Sequence, residues 1–433
     1  MRNCSFRRIS IFLILNLFIS VSFGQTRIKA MMYNILNYSN SEVSRNKTPF
    51  LSTIIEEVRP DLFMVCELVD EIASNYLFEN VIIPYNENFQ KAPFEENQSG
   101  NSDLQQMVYY NTKKLILEET RVITADTRDI NKYTFKINTE NASTNPILLE
   151  VFVTHLKASS GYSNRQRRLN SIQSFVSFTN NIASDSHVLF AGDFNFYTSN
   201  EEGYQYLIDD LNPIVIVDPI DRPAPNFPDD GVNYYENYDS TYFWNNSSFA
   251  DVHSQSTRTS NSGFIDDSGS TGGLDDRFDF IMMSKNFNTS SDLYYIEDSY
   301  QTIGNNGNCY NSHINNVNCS GEFSQTLREA LIEFSDHLPV VMEIETPENT
   351  LSTSLIEEIN FIGSNITEDY LKITSTEKIN NFKIYSSTGQ LIKVIFTEKT
   401  GNNKMNIDVK HISKGIYYLS HQKLRKPLKF IKI

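Results

Sequence analysis

Hydrophobic and polar positions along the first 350 residues follow two different periods, which predict strands and helices in turn. Apolar runs bounded by turn residues predict strands at 27–36 and 62–68. Apolar residues at helical spacing predict one helix that begins near Pro49 and another at 168–182. Further strands are predicted at 106–110, 115–124, 147–156, 187–192, 277–283 and 338–345. This alternation is typical of an α/β domain with mixed sheets.

Two long polar stretches, at 219–276 and 299–330, interrupt this pattern. Irregular stretches of this length in a compact domain are usually functional or mobile. A linker is predicted at 347–359, and the short alternating segments beyond it predict a small all-β domain at 360–433. The chain of 433 residues therefore divides into a main domain at 25–346 and an accessory domain.

Residues 1–24 have the pattern of a secretory signal peptide. Three arginines precede an apolar stretch at 11–21, and small residues follow at 22–24. The apolar stretch is far shorter than the roughly 20 residues of a membrane-spanning helix, and no later segment is apolar enough to span. We therefore expect a secreted or cell-surface protein without a transmembrane segment, whose mature chain begins near Gln25.

Cysteine usage agrees with an oxidising compartment. Cys309 and Cys319 flank a loop rich in glycine and asparagine and could form a disulfide, which would stabilise the fold by about 2–3 kcal/mol for so short a loop. Cys66 lies in an apolar strand and is expected to be a buried thiol. No cysteine and histidine cluster has structural-zinc spacing.

The charge is unevenly distributed along the chain, whose net charge is −16. Residues 25–349 hold 21 Lys and Arg against 46 Asp and Glu, whereas residues 350–433 carry a net charge of +6. A domain this acidic cannot bind a polyanion through a broad basic surface. A phosphodiester substrate would have to be held by metal ions and a few local Arg or Lys side chains.

Side chains suited to phosphodiester hydrolysis stand at the ends of several predicted strands. The reaction needs a cation on the phosphoryl oxygens, a positioned water, charge stabilisation and a proton for the leaving oxygen. Strand ends open onto one rim of a sheet, where such groups can meet. The candidates are Asn34, Glu67, His155, Asp193, Asn195, Asp279, Asp336 and His337. Each alone is usually a turn cap or a solvated residue, and only the whole set favours catalysis.

The ordered motifs resemble the endonuclease/exonuclease/phosphatase superfamily, which includes DNase I-like nucleases, abasic-site nucleases, bacterial sphingomyelinases and inositol polyphosphate 5-phosphatases. The motifs are Tyr33-Asn34-Ile35, Pro60-Asp61-Leu62 with Glu67, Thr154-His155-Leu156, Gly192-Asp193-Phe194-Asn195, Arg277 with Asp279, and Ser335-Asp336-His337-x-Pro339. The resemblance implies a four-layer α/β sandwich, in which two mixed β-sheets are flanked by helices.

The resemblance also implies a metal site. Glu67 would bind a divalent ion, with Asn34 close by and Asp336 as a further ligand. Oxygen donors of this kind suit Mg²⁺ best, with Mn²⁺ or Ca²⁺ as alternatives. Asp193 would orient or deprotonate the attacking water, and Asn195 would hold a phosphoryl oxygen.

Two histidines complete the implied site. His337 would pair with Asp279, which fixes its tautomer and favours the imidazolium. His155 matches the branch in which a second histidine protonates the leaving oxygen, and this match argues against the abasic-site branch. The candidates for the glutamate that orients this second histidine in the DNase I-like branch are Glu95, Glu96 and Glu118.

Arg165, Arg167 and Arg168 enter the predicted helix after the His155 loop. Basic residues are unfavourable at a helix N-terminus, where the dipole favours anions. They therefore indicate a substrate phosphate as partner, above all for Arg168. A solvated helix start is the alternative.

The insertion at 219–276 carries an aromatic cluster and two acidic pairs. The aromatic residues are Tyr234, Tyr235, Tyr238, Tyr242, Phe243 and Trp244. They could stack on bases or press against lipid, although packing of the insertion onto the main domain is the expected role. The pairs Asp266-Asp267 and Asp275-Asp276 lack EF-hand spacing, so solvated carboxylates are expected rather than a calcium site.

The tail resembles the C-terminal sorting domain of the type IX secretion system of Bacteroidetes. The matching residues are Phe382-Lys383-Ile384-Tyr385 with Gly389-Gln390, Ile412-Ser413-Lys414-Gly415-Ile416-Tyr417-Tyr418, and Lys429-Phe430-Ile431-Lys432-Ile433. The resemblance implies the secretion machinery as a partner and export across the outer membrane. A carbohydrate-binding or adhesive β-sandwich is the alternative.

Together these features predict a secreted, divalent-metal-dependent phosphodiesterase, in the first place an extracellular nuclease that acts on DNA or RNA. A sphingomyelinase-like lipid phosphodiesterase would need an exposed apolar hairpin, and neither insertion contains such a run. A phosphomonoesterase of the inositol phosphatase branch would carry a Trp-Cys-Asp-Arg block, where this chain has Leu274-Asp275-Asp276-Arg277. A non-catalytic adhesin is least favoured, because unused acidic clusters are costly to keep together.

Overall fold

The computed structural model describes residues 25–100, 102–350, 359–375, 381–396, 404–421 and 427–433. The predicted signal peptide at 1–24 lies outside the described residues, and so does most of the predicted linker at 347–359. The chain forms two compact units that divide after Leu351, within the stretch predicted as a linker. None of the helices in these ranges is both long and apolar enough to cross a membrane.

The first unit contains thirteen described strands and six α-helices. The strands are β1 Thr26–Tyr38, β2 Leu62–Leu68, β3 Phe89–Lys91, β4 Gln105–Asn111, β5 Leu115–Ile123, β6 Ile130–Ile137, β7 Leu148–His155, β8 His187–Asp193, β9 Ile216–Val217, β10 Asp279–Ser284, β11 Tyr294–Tyr295, β12 Gln301–Thr302 and β13 Val340–Thr346. The helices are α1 Glu42–Val58, α2 Glu71–Leu77, α3 Ile83–Tyr85, α4 Tyr162–Thr179, α5 Glu202–Leu207 and α6 Gln325–Phe334.

These strands form two mixed sheets. The first has the order β11-β13-β1-β2-β4-β3, with β12 also paired to β13, and the second has the order β5-β6-β7-β8-β10-β9. Each sheet contains one parallel pair, β1 with β2 and β7 with β8, and the other described pairs are antiparallel. The parallel pairs matter for function because their carboxyl ends lie at the same edge of each sheet.

The two sheets pack face to face, and helices cover both outer faces. Successive side chains of a strand point to opposite faces, so alternate residues of β1 belong to different cores. Met32 packs in the core between the sheets, whereas Met31 packs in the core that α1 and α6 share with the first sheet. On the far side, Phe152 of β7 contacts Phe175 of α4, with ring centroids 5.1 Å apart. These four layers confirm the predicted sandwich.

Two helices begin earlier than the sequence pattern predicted. Helix α1 begins at Glu42 rather than near Pro49, because the Ser41 side chain caps it. Helix α4 begins at Tyr162 rather than at Arg168, so the three arginines lie inside the helix and not at its N-terminus. Both first turns are polar and lack the apolar spacing on which the predictions relied.

Strand β6 was not predicted at all. Tyr133 and Phe135 alternate into the core between the sheets, whereas the intervening positions are polar. One of these, Lys132, is nearly buried and pairs with Glu150 of β7, 2.9 Å between Nζ and Oε2. Apolar residues do alternate along this strand in the sequence. The pattern was overlooked because the other face of the strand carries a buried charged residue.

The second unit is an all-β domain. Its strands are β14 Ile359–Phe361, β15 Ile366–Thr367, β16 Tyr370–Ser375, β17 Asn381–Ser386, β18 Leu391–Phe396, β19 Lys404–Asp408, β20 Gly415–Ser420 and β21 Leu428–Lys432. They form a sheet of order β14-β16-β19 and a sheet of order β15-β21-β20-β17-β18. Both sheets contribute to one core, with Ile373 and Ile407 from the first and Ile384 and Leu419 from the second. The predicted small β-sandwich is confirmed.

Candidate active site

The carboxyl ends of the two parallel strand pairs meet at one end of the sandwich. Asn34 and Glu67 lie near the ends of β1 and β2, and His155 and Asp193 are the last residues of β7 and β8. His155 and Asp193 are partners in the strand register. Packing of the two sheets therefore brings residues from both halves of the domain to one place.

Two antiparallel strands complete the site. Asp279 begins β10 and pairs in register with Asp193 of β8. His337 lies three residues before β13, which is the antiparallel neighbour of β1. The hydroxyl of Ser335 donates to the backbone carbonyl oxygen of Asn34 at 2.7 Å and fixes the segment before β13 against β1.

The Asn34 side chain links the two sheets. Its Nδ2 atom donates to Oε1 of Glu67 at 2.9 Å and to Oδ2 of Asp193 at 3.1 Å, and it lies 3.3 Å from Nε2 of His337. Its Oδ1 atom accepts from the backbone N–H of Leu36 at 3.1 Å. In this orientation the amide nitrogen faces the carboxylates and the amide oxygen faces the backbone of Leu36.

Three side chains form a group with the spacing of a metal site. Nε2 of His155 lies 3.9 Å from Oε1 of Glu67 and 3.5 Å from Oδ2 of Asp193, and the three atoms all lie within 4.8 Å of one another. Burial raises the pKa of Glu67, and it raises that of Asp193 to about 7. A bound divalent cation would offset this desolvation, so the donor set fits such an ion.

The His337 imidazole is held by a buried carboxylate. Its Nδ1 lies 2.7 Å from Oδ2 of Asp279, and both side chains are almost completely buried. Burial lowers the pKa of His337, but the charges of Asp279, Asp336 and Asp193 outweigh it and raise this pKa well above its usual value. The geometry therefore favours a charged imidazolium beside Asp193, where the His337 Nε2 atom lies 3.7 Å from Oδ2.

His155 lacks the partner that the DNase I-like pattern implies. Its Nδ1 atom is buried, and no glutamate or other described residue hydrogen-bonds to it. Of the three candidates, Glu118 instead pairs with Lys136 at 2.7 Å. Burial, and then the nearby charge of Arg128, lowers the His155 pKa well below its usual value. A neutral ring facing Glu67 is suited to binding a cation.

Asp336 lies beside this group and not within it. Its Oδ2 atom accepts from the backbone N–H of Ser270 at 2.6 Å and lies 3.2 Å from Nε2 of Gln255. Its Oδ1 atom is buried and has no hydrogen-bond partner among the described residues. Only Oδ1 is therefore free to act as the further ligand that the sequence predicted.

Asn195 and Arg128 border the site next to His155. The backbone N–H of Asn195 donates to Oδ1 of Asp193 at 3.1 Å, and its Nδ2 donates to the carbonyl of Leu156 at 3.4 Å. Arg128, which the sequence pattern did not single out, donates to the carbonyls of His155 and Leu156 at 3.3 and 3.2 Å. It stands two residues before β6, the strand that was missed.

Arg168 has no free donor face for a phosphate. Its guanidinium binds both carboxylate oxygens of Glu201, at 2.8 and 3.1 Å, and the carbonyls of Lys157 and Ser159, at 2.7 and 2.9 Å. The side chain is completely buried. The predicted phosphate contact is not supported by this placement, and Arg168 instead holds the loop after His155 against helix α5.

Several other expectations can be compared with the structure. Cys309 and Cys319 form a disulfide with Cα atoms 5.2 Å apart, and Cys66 is buried, as predicted.

The expectation that Asp266 is solvated is wrong, because it is buried and pairs with Lys47, with 2.8 Å between Oδ2 and Nζ. A lysine whose side chain is fully buried requires such a partner.

The aromatic cluster serves mainly to attach the insertion. Trp244 and Phe243 are buried, and Trp244 packs against Phe280 of β10 with ring centroids 5.6 Å apart. Tyr238 differs because its side chain is 55% exposed. The expected packing role therefore applies to the buried members of the cluster.

The first unit is an α/β sandwich with a buried cluster of carboxylate and imidazole side chains. The tail, in contrast, matches a known family. Residues 365–432 match the family described as a secretion system C-terminal sorting domain. This match confirms the interpretation of the tail and indicates secretion or cell-surface attachment. The comparison with curated proteins gave no match.

Solved structures similar to this chain include members of the family that the motifs resemble. An endonuclease/exonuclease/phosphatase family protein from Bacteroides thetaiotaomicron is 14% identical, with a TM-score of 0.43 over 75% of this chain and 97% of that one. D. rerio TDP2 complexed with a single strand DNA product is 13% identical, with a TM-score of 0.44 over 74% and 100%. The human Nocturnin catalytic domain with bound sulfate is 14% identical, with a TM-score of 0.41 over 74% and 97%.

Proposed function

We propose that the chain is a secreted, divalent-metal-dependent phosphodiesterase that hydrolyses nucleic acid. The observation that carries this proposal is the Asn34 amide, which contacts Glu67, Asp193 and His337 at 2.9 to 3.3 Å. These three groups have the chemistry of a cation ligand, a proton acceptor and an anion-binding imidazolium. With Asn34, these groups converge from the ends of four strands, which supports a hydrolytic centre.

Glu67 and His155 would hold the divalent cation next to Asp193. When bound, the cation would neutralise charge on the phosphoryl oxygens. Asp336 would contribute through its unpaired Oδ1 atom. Carboxylate oxygens favour Mg²⁺ or Mn²⁺, and the imidazole nitrogen makes Mn²⁺ a stronger candidate than it would be at an all-oxygen site.

Asp193 is placed to orient and deprotonate water. Burial raises its pKa to about 7, which is close to the working range of a general base near neutral pH. Its Oδ1 is fixed by the backbone N–H of Asn195, while Oδ2 faces the amide of Asn34. The Asn195 side chain lies at the same turn and would contact a phosphoryl oxygen.

His337 would stabilise the charge that develops on the phosphoryl group. Asp279 holds the ring from Nδ1, and Nε2 faces the centre, where Gln255, Asn34 and Asp193 surround it. A fixed imidazolium in a water-poor site stabilises an oxyanion far better than one in solvent. This role does not require His337 to accept a proton from water, which is the task assigned to Asp193.

Basic residues near the site would attract the phosphates of the substrate, which the acidic surface of the domain does not. Arg128 and Lys157 both lie close enough to His155 to lower its pKa by their charge. Arg167 in turn depresses the pKa of Lys157, although burial of the lysine contributes more. Arg128 and Lys157 border the acidic centre and would contact the phosphates that flank the scissile one, whereas Arg167 pairs with Asp126.

A lipid substrate is less favoured. Interfacial enzymes insert a contiguous exposed apolar segment. The exposed large apolar residues of the two insertions stand apart in the sequence, and they are Val232, Tyr238, Ile265 and Val317. Isolated exposed apolar residues are common on soluble proteins.

The proposal is tested by a substrate panel. The full chain would be incubated in Mg²⁺ or Mn²⁺ with DNA, RNA, sphingomyelin vesicles and a soluble phosphodiester, in parallel. We expect cleavage of DNA or RNA that stops when a chelator is added. Cleavage of sphingomyelin alone would contradict the nuclease proposal, and no cleavage of any diester would contradict the phosphodiesterase proposal.

A further inference from the structure

The segment 254–257 of the insertion runs between the two parts of the chain that carry Asp279 and His337. Gln255 exchanges backbone hydrogen bonds with Asp276, at 3.0 Å from its N–H and 2.7 Å to its carbonyl. On the other side, the N–H of Leu338 donates to the carbonyl of Ser254 at 2.7 Å. Isolated β-bridges therefore join Gln255 to Asp276 and to His337, so the insertion connects the two catalytic segments and does not merely cover them.

The Gln255 side chain reaches the centre of the site. Its Nε2 lies 2.5 Å from Nε2 of His337 and 3.2 Å from Oδ2 of Asp336, and the residue is 8% exposed. Asp279 occupies the other ring nitrogen of His337. The imidazole is thus held from both sides, by the β10 carboxylate and by an amide of the insertion.

Which amide atom of Gln255 must face the ring depends on the protonation state of His337. As placed, the amide nitrogen, which also donates to Asp336, suits a ring that is unprotonated at Nε2. An imidazolium donates from both nitrogens and requires the amide oxygen of Gln255 at this position, whereas a ring with its proton on Nδ1 accepts from the amide nitrogen. The two arrangements differ by a half-turn of the amide. An apolar side chain of the same length can form neither.

The insertion is anchored by buried charges, so Gln255 is held firmly. Lys47 of α1 donates to Oδ2 of Asp266 at 2.8 Å and to the carbonyl of Leu36 at 2.9 Å. Arg258 donates to the backbone carbonyl of Asp266 at 2.6 Å. Lys47 and Arg258 are fully buried. The part of the insertion that follows Gln255 is therefore attached to helix α1 through Asp266 and Lys47.

We propose that Gln255 is a positioning residue of the hydrolytic site, which orients His337 from the side opposite Asp279. This inference rests on the proposed phosphodiesterase function. Gln255 does not itself have to touch the substrate. Its loss should lower the rate of the chemical step and leave substrate binding almost unchanged, because the ring keeps its position but loses its orientation.

The test compares the full-length chain with Gln255→Met, which keeps the side-chain length and removes both hydrogen-bonding groups. Gln255→Glu restores an acceptor to His337. The matched control is Gln325→Met, because the Gln325 amide also bonds within the fold, at 2.7 Å to the carbonyl of Asn315, but contacts no site residue. We expect kcat to fall about 10-fold or more in Gln255→Met, as for loss of a group that aligns a catalytic residue, with KM within about twofold.

We expect Gln255→Glu to recover part of this loss and Gln325→Met to show none. A second readout is the ¹⁵N chemical shift of His337 Nε2 at one fixed pH, which should move in Gln255→Met and not in the control. An active Gln255→Met with unchanged kcat and an unchanged His337 shift would overturn the inference. If the wild-type chain cleaves no diester, the proposed function fails, and the ¹⁵N shift alone still decides whether Gln255 orients the ring.

Discussion

His337 and Asp279 form a buried pair, with 2.7 Å between Nδ1 and Oδ2, across 58 positions of the chain. The other carboxylate oxygen of Asp279 is buried and has no hydrogen-bond partner among the described residues. A carboxylate that gives up this much solvation is stabilised chiefly by the positive charge of its partner. The pair therefore links the orientation of the imidazole to its charge.

Replacement of this carboxylate should affect catalysis more than binding. We expect Asp279→Asn to lower kcat by at least about 10²-fold, because the amide removes the charge that favours the imidazolium. Steady-state kinetics on a nucleic acid substrate measure the effect. The control is Asp210→Asn, which alters only an exposed pair with Lys285 at 3.3 Å. An Asp279→Asn protein with the wild-type kcat would show that the pair is purely structural.

Removal of the cation should abolish activity reversibly. We expect a chelator to stop hydrolysis and added Mg²⁺ or Mn²⁺ to restore it. Glu67→Gln should raise the metal concentration needed for half-maximal rate by about 10-fold or more, as losses at metal sites do. Rates measured over a metal titration check both results. Full activity in the presence of chelator would contradict the assignment of Glu67 and His155 to a cation.

Arg168 should contribute to stability and not to phosphate binding. Arg168→Met leaves the Glu201 carboxylate buried without its partner, and breaking a buried pair in this way costs about 3–5 kcal/mol. We expect a matching loss in the free energy of unfolding, measured with denaturant. At a temperature where the variant stays folded, its KM should equal that of the wild type. A raised KM with unchanged stability would restore the phosphate role that the sequence suggested.

Most of the site could be predicted because each residue ends or begins an apolar strand. Asn34, Glu67, His155 and Asp193 lie at or near the carboxyl ends of four such strands, and parallel pairs place these ends at a common edge. The strands themselves were visible as apolar runs, since a strand covered on both faces has few polar positions. The order of the motifs then implied which edges meet.

The residues that were missed or misread lack such a signal. Gln255 lies in an insertion without periodicity, and its contact with His337 across 82 positions depends on how that insertion packs. Arg168 was misread because the true start of α4, at Tyr162, is polar and gives no apolar spacing. Buried polar pairs such as Lys47 with Asp266 are similarly invisible in the sequence, because each residue alone resembles a solvated one.

The tail should be dispensable for catalysis and necessary for export. It forms a separate compact unit from Ser352 and matches a sorting domain. We expect a chain truncated before Ser352 to keep the kcat and KM of the full chain when purified. In the producing cells, the same truncation should leave the protein inside the outer membrane, as measured by immunoblot of culture medium and cell fractions. Normal export of the truncated chain would contradict the sorting role.

The most direct measurement is the single-turnover rate of nucleic acid cleavage in Mg²⁺ by the wild-type chain and by Asp193→Asn. Asp193 stands where the two sheets, the proposed cation and His337 meet, with contacts of 3.1 to 3.7 Å to Asn34, His155 and His337. We expect cleavage by the wild type and a rate at least about 10²-fold lower in the folded variant, because the proposed mechanism assigns the activation of water to Asp193. Equal rates in the two proteins would contradict it.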